Sequence, residues 1–324
     1  MQATRKDNTT PWVCVDVEAC DTVMAETTLW FGLNIDPDAR NIALAFDLAT
    51  YADTAGLDLV GVQDHPYNGG FLDTWTLLAA LGGRTSRVRL FPNVIDLPLR
   101  PPAMLAKAAA SLDLLTGGRV ELGLGAGAFW DAVAGYGGPR RTPGESVTAL
   151  EEAIEVIHRI WGQHESGRVS FAGRFYQLEE ARPGPPPAHP VGIWLGALKP
   201  RMLRLLGTRA EGWSVSHNWV APEQIPALNA IIDEAATAAG RRPAAIRRNY
   251  NVMGMILGDN EAHIRPRQPG MIFGTAEEWA AHLARYTQEL RMDSFIYWPV
   301  AGDAREQARR WAEDVVPRTR MRHA

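Results

Sequence analysis

The sequence predicts an α/β fold, a (β/α)8 TIM barrel with insertions at the C-terminal ends of its strands. Eight short apolar runs are each followed by a stretch whose apolar residues have helical spacing. The runs are apolar without alternation, which is typical of parallel strands buried on both faces. A length of 324 residues accommodates such a barrel, which typically needs about 250. A doubly wound open sheet shows the same alternation, but eight repeats favour the closed form.

Each predicted strand rests on one apolar run. The runs lie at 29–35, 57–62, 88–95, 119–127, 192–195, 211–216, 246–257 and 293–300. Amphipathic spacing, often ended by glycine, predicts the helices that follow them. These helices lie at 39–55, 73–85, 102–115, 144–161, from 199 onward, 222–239, 276–290 and 305–316.

Three segments interrupt this alternation. Residues 1–27 are expected to be an N-terminal extension, and 28–324 a single barrel domain. The segment 169–178 is predicted to form a hairpin. The proline-rich stretch 183–190 is interpreted as a rigid loop rather than a domain linker, because the alternation resumes in phase after it.

Composition excludes several classes of function. A net charge of −4 without a basic stripe argues against nucleic-acid binding. Cys14 and Cys20 have the spacing of neither a redox pair nor a zinc knuckle, and no apolar run is long enough to cross a membrane. We therefore expect a reduced cytoplasmic protein with a small-molecule substrate.

In a barrel of this kind the active site lies at the C-terminal ends of the strands. His65 follows the second strand and titrates near neutral pH, so it is the best acid–base candidate. Its neighbour Asp64 could orient a ring or bind a cofactor hydroxyl. The histidines lack the tight spacing of a metal site, so no metal is expected. Further polar and aromatic candidates at strand ends are Asn34, Asp36, Asn93, Asp96, Trp130, Ser214, Ser216, His217, Trp219 and Trp298.

Two glycine-containing turns suggest close approach of a ligand. Gly125–Ala126–Gly127 leaves a strand end without side chains, where a flat ring could approach the backbone. The segment Gly192–Trp213 reads as a strand, a small-residue turn at Gly196–Leu198 and a helix that begins at Lys199–Pro200–Arg201. Free backbone N–H groups and two cations would suit a phosphate there, although an ordinary strand–helix connection fits the same residues.

The chain resembles the luciferase-like flavin-dependent oxidoreductases from about Leu29 to Val316. The resemblance rests on ordered motifs: LDLVGVQDH, TSRVRLFPNVIDLPLRPPAMLAKAAASLDLLTGGRVELGLGAG, PGESVTALEEAIEVIHRIW, GRFYQLEEARPGPPPAHPVGIWLGA and GTAEEWAAHL. It implies a TIM barrel with a flavin or deazaflavin ring over the mouth. The ring would lie against a bulge after the third strand, which often holds a non-proline cis peptide.

The resemblance also implies roles for individual residues. His65 would be the catalytic proton donor or acceptor. Trp130, His217 and Trp298 would shape the substrate pocket. The cofactor would be bound by Asn34, Asp64, His65, Asn93, Val94, Ile95, Gly125, Ala126, Gly127, Gly196, Ala197, Leu198, Lys199, Pro200 and Arg201.

The family uses either FMN or the deazaflavin coenzyme F420. The Asp64–His65 pair, the phosphate turn and the closing FIYWP strand look more like the deazaflavin branch, whereas Leu198–Lys199 departs from its usual glycine. The resemblance thus implies F420-dependent hydride transfer to or from a small organic substrate. The alternatives are an FMN monooxygenase fed by a separate reductase and a non-catalytic flavin-binding barrel. The resemblance also implies a homodimer, because members of this family often dimerise.

Overall fold

Eight parallel strands form a barrel in the computed structural model, which describes residues 28–162, 164, 166–258, 260–261 and 270–323. The barrel strands are β1 (Trp30–Ile35), β2 (Leu59–Val62), β3 (Arg89–Pro92) with its continuation β4 (Ile95–Asp96), β5 (Leu122–Gly125), β8 (Ile193–Leu195), β9 (Gly212–Ser216), β10 (Arg247–Leu257) and β12 (Ser294–Pro299). Outside the barrel wall, β6 (Val169–Ala172) and β7 (Gln177–Ala181) form the antiparallel hairpin, and β11 (Ile272–Thr275) pairs with β10.

Hydrogen bonds run around the whole barrel. The strand order is β3–β2–β1–β12–β10–β9–β8–β5–β4, and all of these pairs are parallel. A parallel bridge between Leu90 and Val120 joins β3 to the chain just before β5 and closes the circle. The third strand is divided after Pro92 by a cis peptide bond between Asn93 and Val94, where the family resemblance placed a bulge.

Helices cover the outside of the barrel. They are α1 (Ile42–Thr54), α2 (Thr74–Gly82), α3 (Pro102–Thr116), α4 (Trp130–Gly135), α5 (Pro143–Trp161), α6 (Pro200–Arg209), α7 (Ile225–Ala238), α8 (Ala276–Leu290), α9 (Ala304–Arg310) and α10 (Val316–His323). A π-helical turn, Trp311–Val315, lies between α9 and α10.

Local sequence explains where several helices begin. The Thr142 hydroxyl accepts from the Glu145 amide while the Glu145 carboxylate accepts from the Thr142 amide, a capping box that starts α5. Thr275 forms the same arrangement with Glu278 at α8. The Asp73 side chain caps α2.

Aromatic side chains fill one end of the barrel interior. Trp30, Phe91 and Trp194 fill the end where the strands begin, with ring centroids 6.0 Å apart for Trp30–Trp194 and 5.0 Å for Phe91–Trp194. The Arg247 guanidinium lies 3.9 Å from the Trp30 ring centroid. This packing closes the N-terminal end, so a ligand has access from the other end, as in barrel enzymes generally.

The predicted barrel is confirmed, and the differences are local. Sequence reasoning missed β11 and the π turn, whereas the division of the third strand matches the bulge that the family resemblance implied. The proline-rich stretch is a loop held on α3, because the Asp113 carboxylate accepts from the amides of Ala188 and His189. No described helix is long and apolar enough to cross a bilayer. The N-terminal extension and both cysteines lie outside the described residues, and the single domain stays a prediction.

Candidate active site

A cavity of about 430 Å³ opens at the C-terminal ends of the strands. Its walls come from the ends of six of these strands and the loops after them, which brings together residues far apart in the sequence. The lining consists of Asp64, His65, Tyr67, Asn93, Val94, Ile95, Asp96, Gly125, Ala126, Gly127, Ala128, Phe129, Gly196, Leu198, Lys199, Met202, Ser214, Val215, Ser216, Trp219 and Asn251.

His65 lies on the cavity wall in a group of three rings. Its Nδ1 is 2.8 Å from the Tyr67 hydroxyl, and Phe129 meets the imidazole edge-on with centroids 5.7 Å apart. Burial lowers the pKa of His65, and the nearby Asp64 charge only partly opposes this effect. His65 is therefore neutral at pH 7, and its Nε2 has no hydrogen-bond partner among the described residues. A neutral imidazole with a free nitrogen can accept a proton from a substrate.

The Asp64 carboxylate is held by protein groups. It accepts from Arg100 Nη2 at 2.7 Å, from Arg100 Nε at 2.9 Å and from the Asp96 amide at 3.0 Å. Its side chain is fully buried, and Arg100 also donates to Asp73 at 2.7 Å. Both oxygens are therefore already bonded within the protein, and the binding of a cofactor hydroxyl by Asp64 stays a prediction. Asp64 positions the loop that carries Asp96.

Asp96 is the second acidic residue of the cavity. Its carboxyl group is buried, yet neither oxygen has a hydrogen-bond partner among the described residues. Burial, reinforced by the Asp64 charge, raises the pKa of Asp96 to about 7. The carboxyl is thus a mixture of acid and carboxylate at neutral pH.

Amide and hydroxyl groups fix the strand that carries the bulge. The Asn93 amide donates to Asn251 Oδ1 at 2.8 Å and accepts from Ser214 Oγ at 2.9 Å. Asn251 in turn donates to Ser214 and Ser216. The network connects the bulge between β3 and β4 to β9 and β10, so the Asn93 side chain serves to hold the bulge in place.

Glycines leave the floor of the cavity open around Val94. A Cβ at Gly125 or at Gly196 would lie 3.1 Å from Val94 Cγ2. At Gly127, where φ is +100°, a Cβ would lie 2.5 Å from Pro98 and 2.8 Å from the Trp130 ring. A flat ring can approach such a surface closely. The residues present therefore fit a planar cofactor ring, with Asp96 as an unpaired polar group beside it.

The start of α6 lines one side of the cavity. Lys199 lies at its N-cap, is exposed and borders the cavity. Arg201 turns away, because its guanidinium donates to the Gly144 carbonyl and to Thr148 Oγ1, both at 2.8 Å. Of the two cations predicted to meet a phosphate, only Lys199 borders the cavity.

Seven of the predicted site residues lie outside the cavity lining: Asn34, Trp130, Ala197, Pro200, Arg201, His217 and Trp298. The Asn34 amide is buried in the barrel, where a Cβ at Gly61 would lie within 3.5 Å of it. The buried Ala197 carbonyl accepts from the Trp213 indole. Pro200 begins α6.

The three residues predicted to shape the substrate pocket each have another neighbourhood. Trp130 packs behind Gly127. His217 packs against Tyr250 and Tyr286, with centroids 5.3 and 5.9 Å away, and burial lowers its pKa to about 4. Trp298 forms a hydrogen bond with Asp36. Burial raises the pKa of Asp36, and the hydrogen bonds with Gln63 and Trp298 only partly oppose this rise.

Sequence reasoning gave no role to four residues of the site. Tyr67 lies two residues after His65, and its own pKa is raised to about 12 by burial, so it remains a neutral partner. Asp96 was noted only as a strand-end residue. Arg100 and Asn251 carried no local signal, since their partners are 36 and 158 residues away in the chain. No group of three or more metal-ligating side chains occurs among the described residues.

Comparisons with known proteins agree with this architecture. The family model described as "Luciferase-like monooxygenase" matches residues 27–319. An F420-dependent glucose-6-phosphate dehydrogenase of Nakamurella multipartita is 32% identical over 68% of this chain and 65% of its own length. An F420-dependent hydroxymycolic acid dehydrogenase of Mycobacterium tuberculosis is 31% identical over 67% of this chain and 60% of its own. The chain thus spans somewhat less than two thirds of these relatives.

A solved structure has the same fold. It is an F420-dependent secondary alcohol dehydrogenase in complex with an F420–acetone adduct, with a TM-score of 0.80 and 19% identity over 90% of this chain and 99% of that one. At this identity the likeness concerns the fold. Because the family model covers nearly all of the described barrel, the chain belongs to the luciferase-like monooxygenase family.

Proposed function

We propose that this protein is an oxidoreductase that uses coenzyme F420 to transfer a hydride to or from a small organic substrate at the barrel mouth. The observation that carries the proposal is a neutral histidine, held by Tyr67, on the wall of a glycine-floored cavity. The named activities of the relatives support the choice of F420. When bound, F420 supplies a ring carbon that donates or accepts a hydride.

The residues that would hold the cofactor follow from the geometry. Gly125, Gly127 and Gly196 leave space for a ring beside Val94. Lys199 and the N-terminal turn of α6 would bind the phosphate, because a helix N-terminus presents free N–H groups and partial positive charge. Arg201 contributes by joining α6 to α5, which holds this turn in position.

His65 would exchange the proton that accompanies hydride transfer. If the substrate is an alcohol, the imidazole accepts the hydroxyl proton during oxidation and returns it during reduction of the carbonyl product. Desolvation keeps the ring neutral, and Tyr67 fixes its orientation. The exposed rings of Phe129 and Trp219 add apolar surface around the mouth.

The test follows the absorbance of oxidised F420 in the presence of protein and a panel of alcohols. Bleaching that depends on both protein and alcohol is the expected result. The protein would be a non-catalytic barrel if it bound F420 but none of the alcohols led to bleaching, and none of the matching carbonyls led to reoxidation of reduced F420.

The family description favours one second candidate, an FMN-dependent monooxygenase. Such an enzyme needs reduced FMN from a separate reductase. Oxygen consumption on addition of reduced FMN and substrate, without activity towards F420, would support this function instead.

We also propose that the protein pairs with a second copy of itself through the outer side of α3. Met104 is 65% exposed and Leu115 is 84% exposed on this helix. The molar mass measured by light scattering tests the proposal. A dimer that Leu115→Glu converts to monomer is expected, and a monomeric wild-type protein would contradict it.

A further inference from the structure

Asp96 is a buried cavity residue whose carboxyl group bonds to no other described residue. Its side chain is 6% exposed, both carboxyl oxygens lack a hydrogen-bond partner among the described residues, and the residue lines the cavity. A buried carboxylate without a donor is costly, so such a group either neutralises or meets a ligand. Its amide, by contrast, is fixed by Asp64.

The charges around Asp96 explain why it has no partner. Arg100 is the nearby cation, but its guanidinium donates to both Asp64 and Asp73. Because Asp64 and Asp73 already share this cation, an ionised Asp96 would be a third carboxylate next to a single positive charge. Lys199 borders the same cavity from α6, and His65 on the same wall is neutral.

We propose that Asp96 takes up a proton when a negatively charged cofactor binds in the cavity. The protonated carboxyl group then donates a hydrogen bond to an acceptor atom of the cofactor. This inference rests on the proposed function, since it takes the ligand to be F420 or FMN. The proton comes from solvent and forms an O–H bond on the carboxyl group. No other bond changes, and nothing is oxidised or reduced.

The environment of Asp96 determines that cofactor binding leads to uptake of a proton and not to its release. Burial and the Asp64 charge already raise the pKa of Asp96 to about 7, and Arg100 only partly opposes them. A bound phosphate-bearing cofactor adds negative charge and excludes water, and both effects favour the neutral acid further. At pH 8 the free protein would hold mostly carboxylate, so binding should draw in close to one proton.

Calorimetry with F420, and separately with FMN, in buffers of different ionisation enthalpy at pH 8 measures this proton. For whichever cofactor binds, we expect uptake of about 0.5 to 1 proton by the wild-type protein and none by Asp96→Asn. His158→Asn, which changes an exposed histidine of α5 outside the cavity lining, is the matched control and should retain the uptake. Uptake that persists in Asp96→Asn would overturn the proposal.

A second measurement separates this proposal from the proposed function. The infrared carbonyl band of a carboxylic acid, followed between pH 5 and 9 in the cofactor-free protein, should titrate near neutrality and vanish in Asp96→Asn. If neither cofactor binds, the proposed function fails, and this band alone decides whether Asp96 carries a proton. An identical titration in both proteins would overturn the inference.

Discussion

At the scale of single residues, His65 and Asp96 line the same cavity, and burial moves their pKa values in opposite directions. Burial favours the uncharged form of each, so His65 loses its proton more easily and Asp96 holds its proton more tightly. A cavity with a neutral base and a carboxyl group that is partly protonated at neutral pH can accept a proton at one wall and donate a hydrogen bond at another. That combination suits proton-coupled hydride chemistry.

Replacing His65 tests its role in proton transfer. We expect His65→Ala to lower kcat by about 10²- to 10⁴-fold, the usual contribution of a general acid–base group, and to leave the cofactor Kd nearly unchanged. Steady-state kinetics and calorimetry measure the two quantities. His158→Ala, which removes an exposed histidine from α5, is the control and should retain full turnover. Unchanged turnover in His65→Ala would remove the acid–base role.

Asp96 also predicts how stability depends on pH. The folded pKa of about 7 lies above the unfolded value of about 4, so between these pH values the folded protein holds a proton that the unfolded chain releases. This group therefore stabilises the fold less and less as pH rises through that window. Relative to wild type, Asp96→Asn should gain on the order of 2 kcal/mol in unfolding free energy between pH 5 and pH 8.

Urea unfolding of both proteins at the two pH values measures this difference. The comparison cancels other titrating groups, which are the same in the two chains. A difference in unfolding free energy that is the same at pH 5 and pH 8 would show that Asp96 is already ionised at pH 5.

At the scale of secondary-structure elements, the start of α6 should determine affinity for the cofactor phosphate. Lys199→Ala is expected to raise the cofactor Kd by about tenfold, the equivalent of one charge-assisted hydrogen bond, and to weaken its dependence on salt. Arg201→Ala should raise the cofactor Kd less than Lys199→Ala, since the Arg201 guanidinium holds α6 on α5 and does not face the cavity. A larger loss of affinity in Arg201→Ala than in Lys199→Ala would contradict this assignment.

The loop after β4 depends on a buried ion pair. Arg100→Ala leaves the fully buried Asp64 carboxylate without its cation and should destabilise the protein by about 3 kcal/mol. Arg40→Ala breaks a pair in which the arginine side chain is 86% exposed, so it should destabilise the protein far less than Arg100→Ala does. Thermal or urea unfolding compares the two variants. Equal effects would mean that the Arg100–Asp64 pair does not support the cavity wall.

At the scale of the whole molecule, the barrel could be predicted because its signal is local. Each apolar run, such as 57–62, and each cap, such as the Thr142–Glu145 box, is contained in a few neighbouring residues. The short strand β11 escaped prediction because its pairing with β10 is a tertiary contact. The position of the mouth followed from the fold class alone.

The site was only partly predictable, because its contacts join distant parts of the chain. His65 and the glycines could be found by their place at strand ends, and the bulge at Asn93–Ile95 through the family resemblance. The pairing of Asp64 with Arg100 and of Arg201 with α5 could not be predicted, because nothing in the local sequence indicates these partners. His217 illustrates the same limit, since a strand-end histidine can pack into an aromatic cluster instead of facing the mouth.

The central claim is that the cavity accepts a deazaflavin, and titration calorimetry of the purified protein with oxidised F420 and, separately, with FMN tests it most directly. We predict micromolar or tighter binding of F420 and weak binding of FMN. Tight binding of FMN without binding of F420 would contradict the account and make a monooxygenase with a partner reductase the better description.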